Sequence, residues 1–289
     1  MLLLPLYVSL NTGCMLFDSL DPATDKSGSE GSTDGDDGND DGDGDTDNDE
    51  EDNTDDLDDD GDGLTNGEEA DLGTDKDNVD SDGDTYSDYD EVQTGHDPTD
   101  ADDAIYEGGW PYNPNKDDLE DPGWDSKDKV GNMVPRFVSY DYNEDDFELY
   151  DFAGHGKPVI IDISAEWCSY CQELAKFMGG QNSYFDDYEA SYPELGAVRD
   201  GIANGDLYWI EIIDQNESGT TVDAKDLQQW EKKYGIPGAP VVADEDQLWL
   251  NWTDLVGYPT LLVVDENMEI ISYSKRDYFE ALAGAADAI

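Results

Sequence analysis

An apolar run that leads into a cysteine pair constrains this chain more than any other feature. Val159-Ile160-Ile161-Asp162-Ile163 is followed four residues later by Cys168-Ser169-Tyr170-Cys171. The short apolar run reads as a buried central strand, and Gln172 to Met178 after it as a helix. Two cysteines separated by two residues at the start of a helix form a dithiol able to close on itself. Backbone N–H groups and the positive end of the helix dipole favour a thiolate at Cys168, with Cys171 one turn further in. Half of a zinc site is the competing reading. Zinc takes four protein ligands, or three and an open position. The other candidates are Cys14, His96 and His155, with no second ligand pair at a workable spacing. A purely structural disulfide is disfavoured because so small a loop stabilises little. The redox reading prevails.

Asp162 stands inside the apolar run, where an unpaired carboxylate is costly. Desolvation there raises its pKa and suits it to exchange a proton with Cys171 near neutral pH. The segment from Ile161 to Cys171 resembles the active-site segment of thioredoxin-like proteins. Gly257-Tyr258-Pro259-Thr260, ahead of the apolar run Leu261 to Val264, resembles a second mark of that family. The resemblance covers roughly residues 130–289. It implies that Cys168 is the nucleophile, Cys171 the resolving thiol, and Asp162 the buried acid six residues before the first cysteine. It also implies a cis peptide bond at Pro259 facing the dithiol. The Tyr258 backbone is then open to pair with a substrate peptide in strand fashion, and Trp167 packs beside the thiols. Trp167, Tyr258 and Pro259 are therefore the expected substrate contacts. Ser169-Tyr170 replaces the common Gly-Pro at the place where the family tunes its redox potential. His155 lies in a turn and receives no role.

The rest of the chain is strongly acidic: of 289 residues, 75 are Asp or Glu and 14 Lys or Arg, for a net charge of −61. The charge is −39 before residue 130 and −22 after it. The first part has too few large apolar residues to bury a core, whereas the second has enough for one domain of ordinary size. Such charge excludes nucleic acid and anionic membrane surfaces as partners. The expected class is α/β: a thioredoxin-like fold, a central mixed sheet flanked by helices, after a disordered acidic N-terminal region with calcium-binding loops. Expected strands are Phe147 to Phe152, Val159 to Ile163, Leu207 to Ile213, Pro259 to Val264 and Ile270 to Tyr273. Further helices are expected at Asp226 to Tyr234 and Tyr278 to Ala286. The leading strand before the cysteine pair resembles the redoxin branch of the family.

Residues 1–14 read as a secretory signal, an apolar stretch too short to span a bilayer. Its end, Asn11-Thr12-Gly13-Cys14, resembles a bacterial lipobox, which implies lipidation of Cys14. No Lys or Arg precedes the apolar run, and Asn11 stands where Leu is usual. Residues 15–56 read as a disordered acidic linker, a tether. Residues 57–103 contain a 22-residue repeat: Asp58-Asp59-Asp60-Gly61-Asp62 recurs as Asp80-Ser81-Asp82-Gly83-Asp84, Glu69 as Glu91 and Gly73 as Gly95. Carboxylates at loop positions 1, 3 and 5 with a glutamate at 12 are how an EF-hand-type loop surrounds calcium with oxygens. The first copy offers Asp58, Asp60, Asp62, the Leu64 carbonyl, Asn66 and Glu69. The second offers Asp80, Asp82, Asp84, the Tyr86 carbonyl, Asp88 and Glu91. Gly63 holds the sharp-turn position in the first copy, and Thr85 replaces it in the second. The pair resembles bacterial thrombospondin type 3 repeats, which implies calcium binding in an extracellular stalk. Residues 104–129 read as an irregular connector, and 130–289 as the thioredoxin-like domain.

These features together lead to the expectation of an extracytoplasmic, membrane-tethered thiol-disulfide oxidoreductase, acting as a disulfide reductase. Its partners would be protein thiols and disulfides, the membrane through a lipid anchor, and a membrane electron-donor protein. The alternative is a calcium-binding surface or adhesion protein whose thioredoxin-like domain only binds. A copper chaperone is disfavoured because no histidine follows His155, a peroxiredoxin because Ala165 stands where Thr is wanted, and haem attachment because Gln172 follows Cys171.

Overall fold

The computed structural model describes residues 57–275 and 278–289. Cys14 and the signal and linker expected over 1–56 lie outside the described residues. Two short helices come first. α1 (Asn66–Leu72) opens on a capping box in which the Thr65 hydroxyl accepts the Glu68 N–H and the Glu68 carboxylate accepts the Thr65 N–H. α2 (Asp88–Thr94) is capped by Ser87, whose hydroxyl accepts the Asp90 N–H. An antiparallel ribbon of β1 (Val138–Tyr140) and β2 (Asp146–Glu148) follows.

The remaining elements are β3 (Val159–Ala165), α3 (Ser169–Met178), α4 (Pro193–Asn204), β4 (Tyr208–Gln215) and α5 (Ala224–Tyr234). After them come β5 (Val241–Ala243), α6 (Leu248–Trp252), β6 (Thr260–Val264), β7 (Ile270–Ser274) and α7 (Tyr278–Ala286). Five strands form one sheet in the order β5-β4-β3-β6-β7. β3, β4 and β5 run parallel, while β6 is antiparallel to both β3 and β7.

β3 is buried at every position because both faces of the sheet are covered. On one face Ile160, Trp209, Leu261 and Val263 pack against Leu174 and Phe177 of α3, Leu195 of α4 and Leu282 of α7. On the other, Ile161, Ile163, Ile210 and Ile212 meet Phe137, Phe147, Tyr150 and Trp249. Each such side chain contributes roughly 1.5–3 kcal/mol on burial. A central mixed sheet with helices on it is the thioredoxin-like architecture, as the sequence leads one to expect.

Two local expectations are corrected. Phe147 to Phe152 is not one strand: β2 ends at Glu148, and Leu149–Phe152 is a 3-10 turn. All four turn residues are buried, which the alternating faces of a strand do not permit at a sheet edge. The active-site helix begins at Ser169, three residues earlier than expected, because Cys168 itself caps it. The irregular connector packs into the core. Tyr106 and Trp110 are buried, and Trp124 sits edge-on to Phe137, Trp249 and Trp252. Buried Asp151 fastens it by accepting from the Tyr106 hydroxyl (2.5 Å), Asn113 N–H (2.9 Å) and Lys116 Nζ (2.7 Å).

The second repeat is anchored to this assembly. The Tyr86 hydroxyl donates to the Trp110 carbonyl at 2.6 Å, its ring meets Tyr106 edge-on, and Trp110 Nε1 donates to Asp141 at 2.6 Å.

Candidate active site

β3 delivers the chain to the edge of the sheet, where a register irregularity between Ser164 and Ala165 turns it toward α3. Cys168 is the N-cap of α3, a place where the first-turn N–H groups have no partner within the helix. Its Sγ accepts the Cys171 N–H at 3.2 Å. Cys168 and Cys171 are joined as a disulfide, with Cα atoms 5.3 Å apart. Cys168 keeps 5% of its surface and Cys171 none, so an incoming thiolate meets Cys168 first. The half-exposed rings of Trp167 and Tyr170 flank the pair. Beside it, Ser169, Tyr170, Glu173 and Tyr184 line an open cleft of about 560 Å³.

The loop before β6 brings in the second set of expected residues. The Tyr258–Pro259 peptide bond is cis. The Tyr258 ring stands edge-on to Trp167 with centroids 5.5 Å apart. Its hydroxyl donates to Asp214, at the end of β4, and the Trp167 indole donates to Gln215 at 3.0 Å. Trp167 and Tyr258 therefore form one wall, held by residues 214–215, and Pro259 next to Tyr258 is buried. His155 lies elsewhere, its Nε2 2.9 Å from the Asp151 carbonyl oxygen.

Asp162 has no exposed surface; Ser164 Oγ donates to its Oδ1 at 2.9 Å, and Oδ2 has no partner. Burial pushes its carboxyl up to about 7. The register partner of Asp162 on β4 is Glu211, also without exposed surface. Burial first, and then the Asp162 charge, push Glu211 well above the usual carboxylate range. The Trp230 indole opposes this shift but lies outside hydrogen-bond geometry. Sequence reasoning missed Glu211. Its signal is that of Asp162, a carboxylate within an apolar strand, and the run Leu207 to Ile213 displays it.

The repeats form a second constellation. Asp58, Asp60 and Asp62 bring one carboxylate oxygen each to within 4.8 Å of one another, and so do Asp80, Asp82 and Asp84. Glu69 and Glu91 are buried with all four carboxylate oxygens unpartnered, and Asp60, Asp82 and Asp84 each hold one more buried, unpaired oxygen. Burial and the neighbouring aspartates push Glu69 up to about 7 and Glu91 to about 8. An oxygen-only donor set of this kind fits a hard divalent cation such as calcium. Asn66 and Asp88 are engaged differently: the Asn66 side chain accepts the Asp59 N–H, and Asp88 accepts both the N–H and hydroxyl of Ser81. Gly63 (φ +115°) and Thr85 (φ +97°) adopt the same left-handed turn.

No family model matches the chain. It is similar to the thiol-disulfide oxidoreductases ResA of Bacillus thuringiensis subsp. konkukian and of Bacillus cereus. Each is 23% identical over 154 residues, covering 53% of this chain and 73% of the relative. Among solved structures, a secreted Mycobacterium tuberculosis disulfide oxidoreductase homologous to E. coli DsbE is 15% identical. It matches 53% of this chain and 96% of its own at a TM-score of 0.36. The thioredoxin domain of a Bacteroides vulgatus thiol-disulfide oxidoreductase is 16% identical, over 56% of this chain and 99% of its own, at a TM-score of 0.39.

Proposed function

We propose that this protein is an extracytoplasmic thiol-disulfide oxidoreductase, tethered to a membrane through a lipid on Cys14 and working as a disulfide reductase. The observation that carries the redox assignment is the dithiol's placement: Cys168 at the cap of α3 with a trace of exposure, Cys171 sealed behind it. The likeness to the ResA proteins over 154 residues supports it.

Cys168, as a thiolate favoured by the helix N-terminus, attacks a sulfur of a substrate disulfide and forms a mixed disulfide. Cys171 then attacks Cys168 and releases the reduced substrate, with Asp162 receiving the Cys171 proton. Trp167 and Tyr258, the latter followed by Pro259, form the wall along which a substrate segment lies. A membrane electron-donor protein restores the dithiol.

The repeats are read as calcium sites that brace the stalk, with Asp58, Asp60, Asp62, the Leu64 carbonyl and Glu69 holding one ion. Asp80, Asp82, Asp84, the Tyr86 carbonyl and Glu91 hold the other. The unpartnered buried oxygens of Glu69 and Glu91 favour this reading. The ion would supply charge neutralisation and rigidity, with an affinity of about 10⁻⁴–10⁻³ M, as in extracellular modules.

The deciding experiment is the reduction potential of the Cys168–Cys171 pair, read by alkylation and mass spectrometry in thiol redox buffers. A value of about −270 mV supports the reductase, and one of about −120 mV reverses the direction while keeping the oxidoreductase. A pair that cannot be cycled leaves a calcium-binding surface protein instead.

A further inference from the structure

The strands beneath the dithiol bring together two acids, of which the chemistry above uses only Asp162. Asp162 and Glu211 are register partners on parallel β3 and β4. Ile160, on the face of β3 that carries Asp162, packs with Leu174 and Phe177 of α3. On β4, Glu211 stands between Trp209, in that same cluster, and Ile213, which packs with Cys168, Cys171 and Trp230. Both carboxyl groups thus enter the layer between the sheet and helices α3 and α5, at the level of the cysteines. Three of their four oxygens have no hydrogen-bond partner. Of the titratable groups on the packed helices, Cys171 of α3 lies in the buried cluster with Ile213, and Glu231 of α5 acts on Glu211 as a like charge. The flanking strands present Val241 and Leu261 at the adjoining register positions. The charges acting on Glu211 are those of Asp162 and Glu231, both negative, so no cation relieves the pair. Adjacent buried carboxyls without a counter-cation cannot both ionise near neutral pH, and they titrate as one coupled unit.

We infer that Asp162 and Glu211 form a single proton-holding unit beneath the dithiol, in which Glu211 is a positioning residue that keeps a proton exchangeable between Asp162 and Cys171. The inference rests on the oxidoreductase reading. In the resolving step the Cys171 S–H bond breaks, and its proton passes to the singly protonated pair. The sulfur's electron pair forms the Cys168–Cys171 bond as the bond between Cys168 and the substrate sulfur breaks. The substrate thiolate leaves with that electron pair and takes a proton from water. The two cysteines are oxidised by two electrons and the substrate disulfide is reduced by two. The doubly protonated pair returns one proton to water. When a thiol reductant restores the dithiol, the same pair gives a proton to Cys171.

The test compares wild type, D162N, E211Q and the double variant in the full chain, first by infrared titration of protonated carboxyl groups. Wild type should keep one protonated buried carboxyl well above neutral pH, and E211Q should lose it. In D162N it should remain but ionise at lower pH, because the like charge is gone. A band whose titration D162N leaves unmoved, or no such band in wild type, overturns the inference. Stopped-flow measurement of mixed-disulfide resolution gives the second readout. D162N should slow it about tenfold, E211Q about threefold and the double variant about a hundredfold or more. Equal rates in D162N and the double variant would mean that Glu211 handles no proton. Should the double variant fail to fold, the titrations of the single variants decide. Failure of the oxidoreductase reading shows separately, as a disulfide that dithiothreitol cannot cycle while the carboxyl bands persist.

Discussion

The two aspartate triads of the repeats and the layer beneath the dithiol both crowd carboxylates together, yet on the readings proposed here they dispose of the charge in opposite ways. In the loops the aspartates of each copy converge from one turn, partly open to water, and turn their spare oxygens toward a common point. A hard cation can enter there and neutralise several of them at once. Asp162 and Glu211 stand on neighbouring strands under two helices, walled by Ile160, Trp209 and Ile213, where only protons are small enough to serve. On the readings proposed here, the same side chains become a metal site or a proton store according to whether the backbone is a loop or a sheet.

The largest effect that bears on this contrast is the pH dependence of stability. Asp162 has a carboxyl pKa of about 7 in the fold, above that of an unfolded chain. At acid pH it is neutral in both states and contributes nothing. As pH rises from about 4 to 7 the unfolded chain ionises freely while the native one resists, so stability is lost across that window. At roughly 1.4 kcal/mol per pH unit the loss reaches about 4 kcal/mol. D162N should therefore stabilise the protein at pH 8 by up to about that amount and leave it unchanged near pH 3.5, as read by urea unfolding. An equal change at both pH values would mean that Asp162 is not held as a neutral acid.

How far the sequence reveals these sites follows from where their partners lie. The cysteine pair, Asp162 and the Gly257-Tyr258-Pro259 loop are contiguous or strand-periodic patterns, and each falls where the pattern places it. Glu211 does not, because its meaning lies in the register that sets it opposite Asp162, 49 positions away along the chain. The connector was legible only as irregular for a related reason. Its backbone and side chains are held by Asp141, Asp145 and Asp151, hydrogen bonds that no periodicity announces. α4 is muted in the sequence because Pro193-Glu194-Leu195-Gly196 opens it with a proline and an early glycine, which weaken its apolar stripe.

Calcium should act on the loops alone. Raising free calcium to about 10 mM, against a dissociation constant of 10⁻⁴–10⁻³ M, should stabilise the fold by about 1.4–2.7 kcal/mol per occupied loop. E69Q should remove the first loop's share and E91Q the second's, with the thiol-redox behaviour of the pair unaffected. Calorimetry with and without a chelator reads this directly. A calcium response that survives E69Q together with E91Q would place the ion elsewhere.

The smallest effect separates a loop built in advance from one shaped by its ion. Thr85 holds a left-handed backbone at φ +97°, where Gly63 serves in the first copy. A β-branched residue in that region costs about 1–2 kcal/mol, while glycine in its place returns roughly 0.4–1 kcal/mol through the entropy of the unfolded chain. T85G should therefore stabilise the protein by about 0.5–1 kcal/mol. The Thr85 N–H donates to Asp80 at 2.9 Å and the Tyr86 N–H to Asp84, so the turn is already made by the loop's own hydrogen bonds. The gain should accordingly be the same in chelator and in calcium. A gain confined to calcium would show that the metal, rather than these aspartates, bends the second loop into shape. The two carboxylate clusters would then differ in preorganisation as well as in what neutralises them.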